Sequence, residues 1–261
     1  RNDSYSYFRL FPNIRLTKAI GTGTDISLFY NRRVDRPGEQ EVRVFPKYDD
    51  PELLKVGNPY LRPQFTTAYE LAIQQDWGSL NASLALYHRT IKDAYQRIYS
   101  IDQSSGTYDI VNKIYSNTGK ASNTGGELIA HWKADKTLKL NASLNAFRIS
   151  RQPPPGTSLF PYVRIVTLSP SSDFTWDGKL GVEAALGKST KMQLNGVYYA
   201  ARDIAQGSQA ARSALDLSLS RTFAKDRIKA SLSATDIFNS FGSKTTVNGV
   251  GFDALYENYY E

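Results

Sequence analysis

Apolar and polar residues alternate along this chain in stretches long enough to cross a bilayer, and that period constrains the fold more than any other feature. The clearest stretch is Leu80-Asn81-Ala82-Ser83-Leu84-Ala85-Leu86-Tyr87. It returns as Leu138-Lys139-Leu140-Asn141-Ala142-Ser143-Leu144-Asn145-Ala146. A period of two sends Leu80, Ala82, Leu84 and Leu86 to one face, and Asn81, Ser83 and Tyr87 to the other. Soluble sandwich strands alternate too, but run about five or six residues. A strand crossing hydrocarbon at its usual tilt needs roughly 9–11. About ten stretches here approach that length, joined in pairs by short polar turns. Aliphatic residues outside and small polar residues inside are what a lipid-exposed barrel around water requires.

Composition narrows the alternatives. The 261 residues suit one large all-β domain or two small ones. No run of about 18 apolar residues occurs and mean hydropathy is −0.43, which excludes a helical membrane protein. The same polarity suits a barrel, half of whose strand residues face water. Cysteine is absent, so no disulfide framework or thiolate metal site is available. No leader segment is visible, and Arg1 reads as a start within a longer protein. The net charge of +7 suits nucleic acid, anionic lipid or an anionic solute. The Lys and Arg residues are scattered, however, and read as solvated lumen, turns and a rim facing lipopolysaccharide, with no nucleic acid partner. Seventeen Tyr fit the aromatic girdles at the two membrane interfaces.

Five hairpins follow from the pattern. They pair residues 5–19 with 24–33, 63–77 with 80–95, 117–133 with 137–150, 173–186 with 190–201, and 210–223 with 227–238. Their turns are short: Ile20-Gly21-Thr22-Gly23, Gly78-Ser79, Ala134-Asp135-Lys136, Gly187-Lys188-Ser189 and Ala224-Lys225-Asp226. Between hairpins lie long segments, 34–62, 96–116 and 151–172. Pro37, Pro46, Pro51 and Pro59 fall in the first and Pro153-Pro154-Pro155 in the third. Proline removes ladder donors, so these segments are predicted to be loops, the second with a small hairpin turning near Ser104-Ser105-Gly106. Residues 239–261 read as a loop with the start of a further strand. Short turns at one end and long loops at the other are the asymmetry of outer-membrane barrels. The predicted class is all-β: an antiparallel up-and-down transmembrane barrel, with no helix beyond two or three turns. Leu80, Leu84, Leu138, Leu140, Leu144, Leu215, Leu217, Leu219, Ile228 and Leu232 should face outward. Asn81, Ser83, Asn141, Ser143, Asp216, Ser218, Ser231 and Ser233 should face the lumen.

Several local sequences resemble the barrel of TonB-dependent outer-membrane receptors. They are Phe11-Pro12-Asn13-Ile14, Tyr30-Asn31-Arg32-Arg33-Val34-Asp35-Arg36-Pro37, and Gly57-Asn58-Pro59-Tyr60-Leu61-Arg62-Pro63-Gln64. Tyr115-Ser116-Asn117-Thr118-Gly119-Lys120 and Thr235-Asp236-Ile237-Phe238-Asn239 complete the set, in the family's order across essentially the whole chain. The resemblance implies a barrel of about 22 strands with a folded plug in its lumen. It assigns residues 1–261 to the C-terminal part of that barrel, about 10–11 strands, with the plug and the completed final strand outside this chain. The implied function is solute binding by loops and plug, then import driven through the TonB complex acting on the plug. No covalent chemistry and no cofactor are implied, and the location is the outer membrane of a Gram-negative bacterium, among lipid and lipopolysaccharide. A passive porin or structural barrel, and a soluble all-β binding module, are the alternatives.

Candidate residues divide by position. Loop aromatics and arginines, Tyr48, Tyr60, Tyr99, Tyr108, Arg151, Phe160 and Tyr162, are the expected solute contacts, because loops on a rigid scaffold carry recognition. Glu70, His131, Glu183 and Asp216 are expected on the lumen wall, facing the plug. His88 falls by register on the Leu84 and Leu86 face. With two histidines and no local nucleophile pattern, neither a metal centre nor hydrolytic catalysis is indicated.

Overall fold

A computed structural model describes residues 6–45, 47–50, 53–102, 110–159, 164–224 and 227–258. In chain order the elements begin with β1 (Asn13–Gly21), β2 (Thr24–Asp35), a single helical turn α1 (Glu39–Val42), β3 (Lys47–Asp50) and β4 (Leu53–Val56). Next come β5 (Gln64–Asp76), β6 (Leu80–Lys92), β7 (Tyr95–Asp102), β8 (Ile110–Asn117), β9 (Lys120–Lys133) and β10 (Leu138–Gln152). Then follow β11 (Thr157–Leu159), β12 (Arg164–Val166), β13 (Ser171–Ala185), β14 (Thr190–Tyr199), β15 (Arg202–Ile204) and β16 (Gly207–Gln209). The last four are β17 (Arg212–Phe223), β18 (Ile228–Ala234), β19 (Ser243–Gly249) and β20 (Phe252–Asn258).

Ten of these strands make one sheet in the order β1-β2-β5-β6-β9-β10-β13-β14-β17-β18. Every neighbouring pair is antiparallel. Chain order and sheet order agree, so successive strands run up and down and alternate connections fall at the same end. The five short turns therefore share one end, and the connections β2–β5, β6–β9, β10–β13 and β14–β17 share the other. Gly23 makes the first turn possible: its φ is +75°, and a Cβ there would stand 2.4 Å from the Asp76 carbonyl oxygen.

Register turns the alternation of each strand into two faces of the sheet. Ile73, Leu84, Leu128 and Leu144 stand in one row. Trp132, Leu140, Val182, Leu194 and Leu217 stand in another. On the opposite face Asn81, His131, Asn141, Gly181, Asn195 and Asp216 form a single row. All ten residues expected to face outward share the aliphatic face, and all eight expected in the lumen share the polar one. The aliphatic face is the open one, with Leu16 65% and Leu232 73% exposed. Several side chains of the polar face are closed in by their neighbours, Tyr87 to 7% and Thr175 to 1%. Exposed large apolar side chains recur along this face from β1 to β18, Leu16, Leu28, Leu71, Leu86, Leu128, Leu144, Leu180, Leu219 and Leu232 among them, where a soluble monomer keeps its apolar patches small. Its solvent is hydrocarbon.

The sheet is open among the described residues, with β1 and β18 at its edges. Unpaired strand edges have no partner in lipid, so the arrangement belongs to part of a larger closed barrel. Among the described residues no helix is long and apolar enough to cross a membrane.

The long connections hold more structure than expected. The pairing of β7 with β8 is the small hairpin expected in the second segment, its turn near Ser104-Ser105-Gly106 lying outside the described residues; the order β3-β4-β8-β7 adds two strands of the first segment to it, and β11 and β12 pair within the proline-rich segment. Strands β10 and β13 also run further than expected, to Gln152 and from Ser171, leaving Pro153-Pro154-Pro155 as the break. The tail forms the hairpin β19–β20, which joins β15 and β16 in a separate sheet and adds no strand to the barrel wall. The pair β4–β8 is parallel, an exception to the antiparallel expectation. Its cause is topological: β4 leads into β5 and β8 leads into β9, and both of those descend from the loop end. These pieces share a core in which Ile98 and Ile114 are buried against Leu159 and Leu168.

Candidate solute-binding surface

Asparagine side chains fasten the loop sheet to the barrel rim. Asn58 accepts from the Tyr60 N–H at 3.0 Å and donates to the Tyr115 carbonyl at 3.0 Å. Asn117 accepts from the Arg62 N–H at 2.9 Å and donates to the carbonyls of Arg62, at 3.0 Å, and Asp93, at 2.8 Å. Near the chain end Asp236 does similar work. Its carboxylate accepts from the N–H groups of Ser240 and Phe241, each at 3.0 Å, while its own N–H donates to the Asp216 carboxylate at 2.8 Å. Positive φ at Asp236 and Asn239 makes this a tight fold-back. Three of the five sequences that carry the family resemblance, those with Asn58, Asn117 and Asp236, thus act as brackets for backbone.

The four predicted lumen residues lie on the polar face but do not converge. Glu70 sits beside Phe29 and Tyr87, in a different row from His131 and Asp216. His131 and Asp216 share a row with three intervening strands between theirs. Glu183 pairs with Lys139 at 3.5 Å. His131 Nδ1 lies 2.8 Å from Asn141 Oδ1. His88 takes the aliphatic face, as expected, with Nδ1 2.7 Å from the Thr124 hydroxyl. Among the described residues no group of three or more His, Asp or Glu side chains is placed to hold a metal ion.

Of the expected solute contacts, Tyr108, Phe160 and Tyr162 lie outside the described residues, and Tyr48 belongs to β3. Tyr60 is exposed at the rim. Tyr99 is 8% exposed and holds two loops together. Its N–H donates to the Gln206 side chain at 2.7 Å, its carbonyl accepts from the same amide at 3.0 Å, and its ring stacks on Tyr256 at 5.6 Å. Arg151 likewise reaches across, donating to the Asp203 carbonyl at 2.9 Å. Both make loop-to-loop contacts here.

Two concavities stand out. An apolar depression of about 700 Å³, lined by residues such as Leu16, Leu28, Tyr69, Leu71 and Leu86, lies on the aliphatic face and belongs to the lipid boundary. The second, about 260 Å³, is in the loop sheet. Arg43, Lys55, Arg97, Lys113 and Tyr115 line it, with Gln40, Phe45, Val56 and Gly57. No carboxylate is among the described lining residues, and the side chains of Asp49, Asp50 and Glu52 lie outside the description. Arg97 Nε–H donates to the Tyr115 hydroxyl at 2.7 Å. Burial, and then the charges of Arg97 and Lys55, bring the Lys113 ammonium down from 10.5 to about 8. Sequence reading missed these cations. They come from two separate loops, and only the β4–β8 and β7–β8 ladders bring them together; neither segment carries an excess of Lys and Arg over Asp and Glu, so composition gave no signal.

A family model described as "Outer membrane protein beta-barrel family" matches residues 1–261. No curated protein matches the sequence. Among solved structures, the siderophore receptor PirA from Pseudomonas aeruginosa is similar over 88% of this chain and 39% of its own, with 15% identity and a TM-score of 0.58. The copper transporter OprC is similar over 91% of this chain and 34% of its own, with 15% identity and a TM-score of 0.58. The FrpB iron transporter from Neisseria meningitidis is similar over 96% and 39%, with 14% identity and a TM-score of 0.55. The chain thus spans little more than a third of the length of these receptors.

Proposed function

Given that this chain belongs to the outer membrane protein beta-barrel family, found in the Gram-negative outer membrane, we propose that it is the loop-bearing part of a TonB-dependent active transporter that binds and imports a solute. The observation that supports this most is the shared architecture. Ten up-and-down strands with all long, structured connections at one end superpose on barrels of siderophore, copper and iron receptors over 88–96% of the chain. In this reading the loop sheets built on β3, β4, β7 and β8, and on β15, β16, β19 and β20, form the mouth that meets solute. The polar face, with Glu70, His131, Glu183 and Asp216, meets a plug. The plug moves when TonB delivers energy from the inner membrane. The three named receptors carry different cargo, so their names do not choose a solute for this one.

A passive porin would share the strands and differ in conductance. The full-length protein in a planar lipid bilayer should stay closed, and photo-crosslinkers in its segment preceding the barrel should capture TonB in cells. A steady open conductance together with no TonB adduct would contradict the transporter reading.

A further inference from the structure

We propose that the turn end of the wall, from β9 to β18, is a docking face for an extended, carboxylate-rich segment of a separate periplasmic protein. Short turns face the periplasm in outer-membrane barrels. The inference stands apart from the transporter reading, since a passive barrel would present the same face.

The positive charge of the chain is gathered here. Residues 133–139, 183–191 and 221–229 span the turns β9–β10, β13–β14 and β17–β18, and they hold nine Lys and Arg against three Asp and Glu. That excess of six is nearly the whole net charge of +7. The first two turns differ: residues 18–25 carry one charge of each sign, and 74–81 carry only Asp76. The three basic turns are far apart in sequence, yet their strands are consecutive neighbours in the sheet, β9-β10-β13-β14-β17-β18. At ~4.8 Å per strand, the row from β9 to β18 spans roughly 24 Å.

The carboxylates at this end are already engaged. Asp135 accepts from the Thr137 hydroxyl and from the N–H groups of Thr137 and Leu138. Glu183 pairs with Lys139 at 3.5 Å. Lys225 and Asp226, one of each sign, lie outside the described residues. Among the described residues, the side chains of Lys133, Lys136, Lys188, Lys191, Arg227 and Lys229 make no ion pair, and all six are exposed. Lys133 also stands directly opposite Lys139, a like-charge arrangement that costs a sheet stability.

Placement selects the occupant. Lys133, Lys139, Lys191 and Lys229 fall on the polar face, while Lys136, Lys188 and Arg227 belong to the turns. Of the described cations here, Arg221 alone is on the aliphatic face. Lipid headgroups would call for the reverse distribution. A narrow polypeptide can lie along the turns and reach the inner rim, which a cross-linked glycan layer cannot enter. A plug inside the lumen would leave Lys136 and Lys188 uncovered at the turn tips, so the partner comes from outside. Seven of the nine cations are lysine, flexible point charges that follow a run of carboxylates, with few of the rigid forks that fix a single group. About seven extended residues at ~3.3 Å each cross the whole row.

The test uses the full-length protein in nanodiscs of zwitterionic lipid, both faces open to solvent, titrated with fluorescent deca-glutamate at ~0.15 M salt. Deca-glutamate should bind, more weakly as salt rises. Tri-glutamate, too short to bridge the three turns, should bind more weakly by about tenfold or more. The double variant Lys136→Glu with Lys188→Glu should weaken deca-glutamate about tenfold or more, the worth of two exposed ion pairs. Lys92→Glu with Lys120→Glu makes the same change of charge at the loop end and should bind as wild type. Heat-modifiable migration on gels confirms that each variant is folded. Absence of binding by the intact protein overturns the inference, whether the face is bare or covered by the protein's own plug. Equal losses in the two double variants also overturn it, by reducing the effect to net charge. So does a protein blind to deca-glutamate whose binding to purified peptidoglycan depends on Lys136 and Lys188, which gives the face to the cell wall. These outcomes are separable from the transporter reading. A closed, TonB-linked receptor indifferent to deca-glutamate would overturn only the inference. An open pore that binds it would overturn the transporter reading alone.

Discussion

The two faces of β10 should answer the same substitution in opposite ways. Leu144 lies on the aliphatic face, 45% exposed, in a row with Leu84 and Leu128. Its neighbour Ser143 lies on the polar face, opposite Ile129 and Lys179. At ~3.4 Å of rise per residue and ~45° of tilt, each residue advances ~2.4 Å in depth. The outward run from Leu138 to Ala146 then covers roughly 19 Å, inside an apolar band ~25 Å tall. Leu144 lies ~5 Å from the middle of that run, well within the hydrocarbon. Leu144→Arg should therefore cost about 2–3 kcal/mol, the cost of a cation at that depth, or roughly 30- to 150-fold in the folding equilibrium. Ser143→Arg, at nearly the same depth, should cost less than about 1 kcal/mol, because its side chain enters a polar lumen. Urea titration of the full-length protein in phospholipid vesicles, followed by the heat-dependent gel shift, measures both. Equal costs, or a larger cost at Ser143, would refute the assignment of faces.

Asn117→Ala should lose three hydrogen bonds to Arg62 and Asp93 and destabilise the loop sheet by about 1–3 kcal/mol, seen as faster hydrogen exchange across β7 and β8 with barrel protection unchanged. Gly23→Ala should lower the stability of the first hairpin and reduce the yield of folded barrel in vesicles, because its Cβ meets the Asp76 carbonyl. Asp135 is held below its ordinary 3.8 by hydrogen bonds from the Thr137 hydroxyl and from the N–H groups of Thr137 and Leu138. The stability it contributes is thus complete above that ordinary value and is lost as pH falls through the depressed one. Its carbon resonance should report a low midpoint, and Asp135→Asn should remove that acid-side dependence.

The barrel wall was legible because its signal is local. Each strand carries its own period of two, so the register that sets Leu80 outward and Asn81 inward needs no knowledge of other strands. Turn positions at Gly78, Asp135 and Lys188 followed from the same pattern. Beyond the expected β7–β8 hairpin, the loop sheets were hidden for a different reason. Pro46, Pro51 and Pro59 bracket β3 and β4, and prolines punctuate a strand pattern even when four residues between them pair. Strands β15 and β16 have three residues each, too few for any period to show. The basic cavity needed tertiary structure outright, since Arg43 and Lys55 meet Arg97 and Lys113 only across the parallel β4–β8 ladder. Tyr99 shows what residue type alone leaves out: its backbone bonds to Gln206 and its ring stacks on Tyr256, contacts that only the folded loops bring about. Asn58, Asn117 and Asp236 were visible as motif members, while their work as brackets depended on partners far along the chain.

The central claim is a sheet with hydrocarbon on one face and water on the other, and spin labelling tests it most directly. The chain has no cysteine, so single cysteines from Leu138 to Phe147 can each carry a nitroxide in the full-length protein in lipid vesicles. Collision with oxygen, concentrated in hydrocarbon, should peak at positions 138, 140, 142, 144 and 146. Collision with a water-soluble nickel chelate should peak at 139, 141, 143, 145 and 147, in opposite phase. The two profiles rising and falling together, or both staying low at the leucine positions as in a closed protein core, would contradict the account.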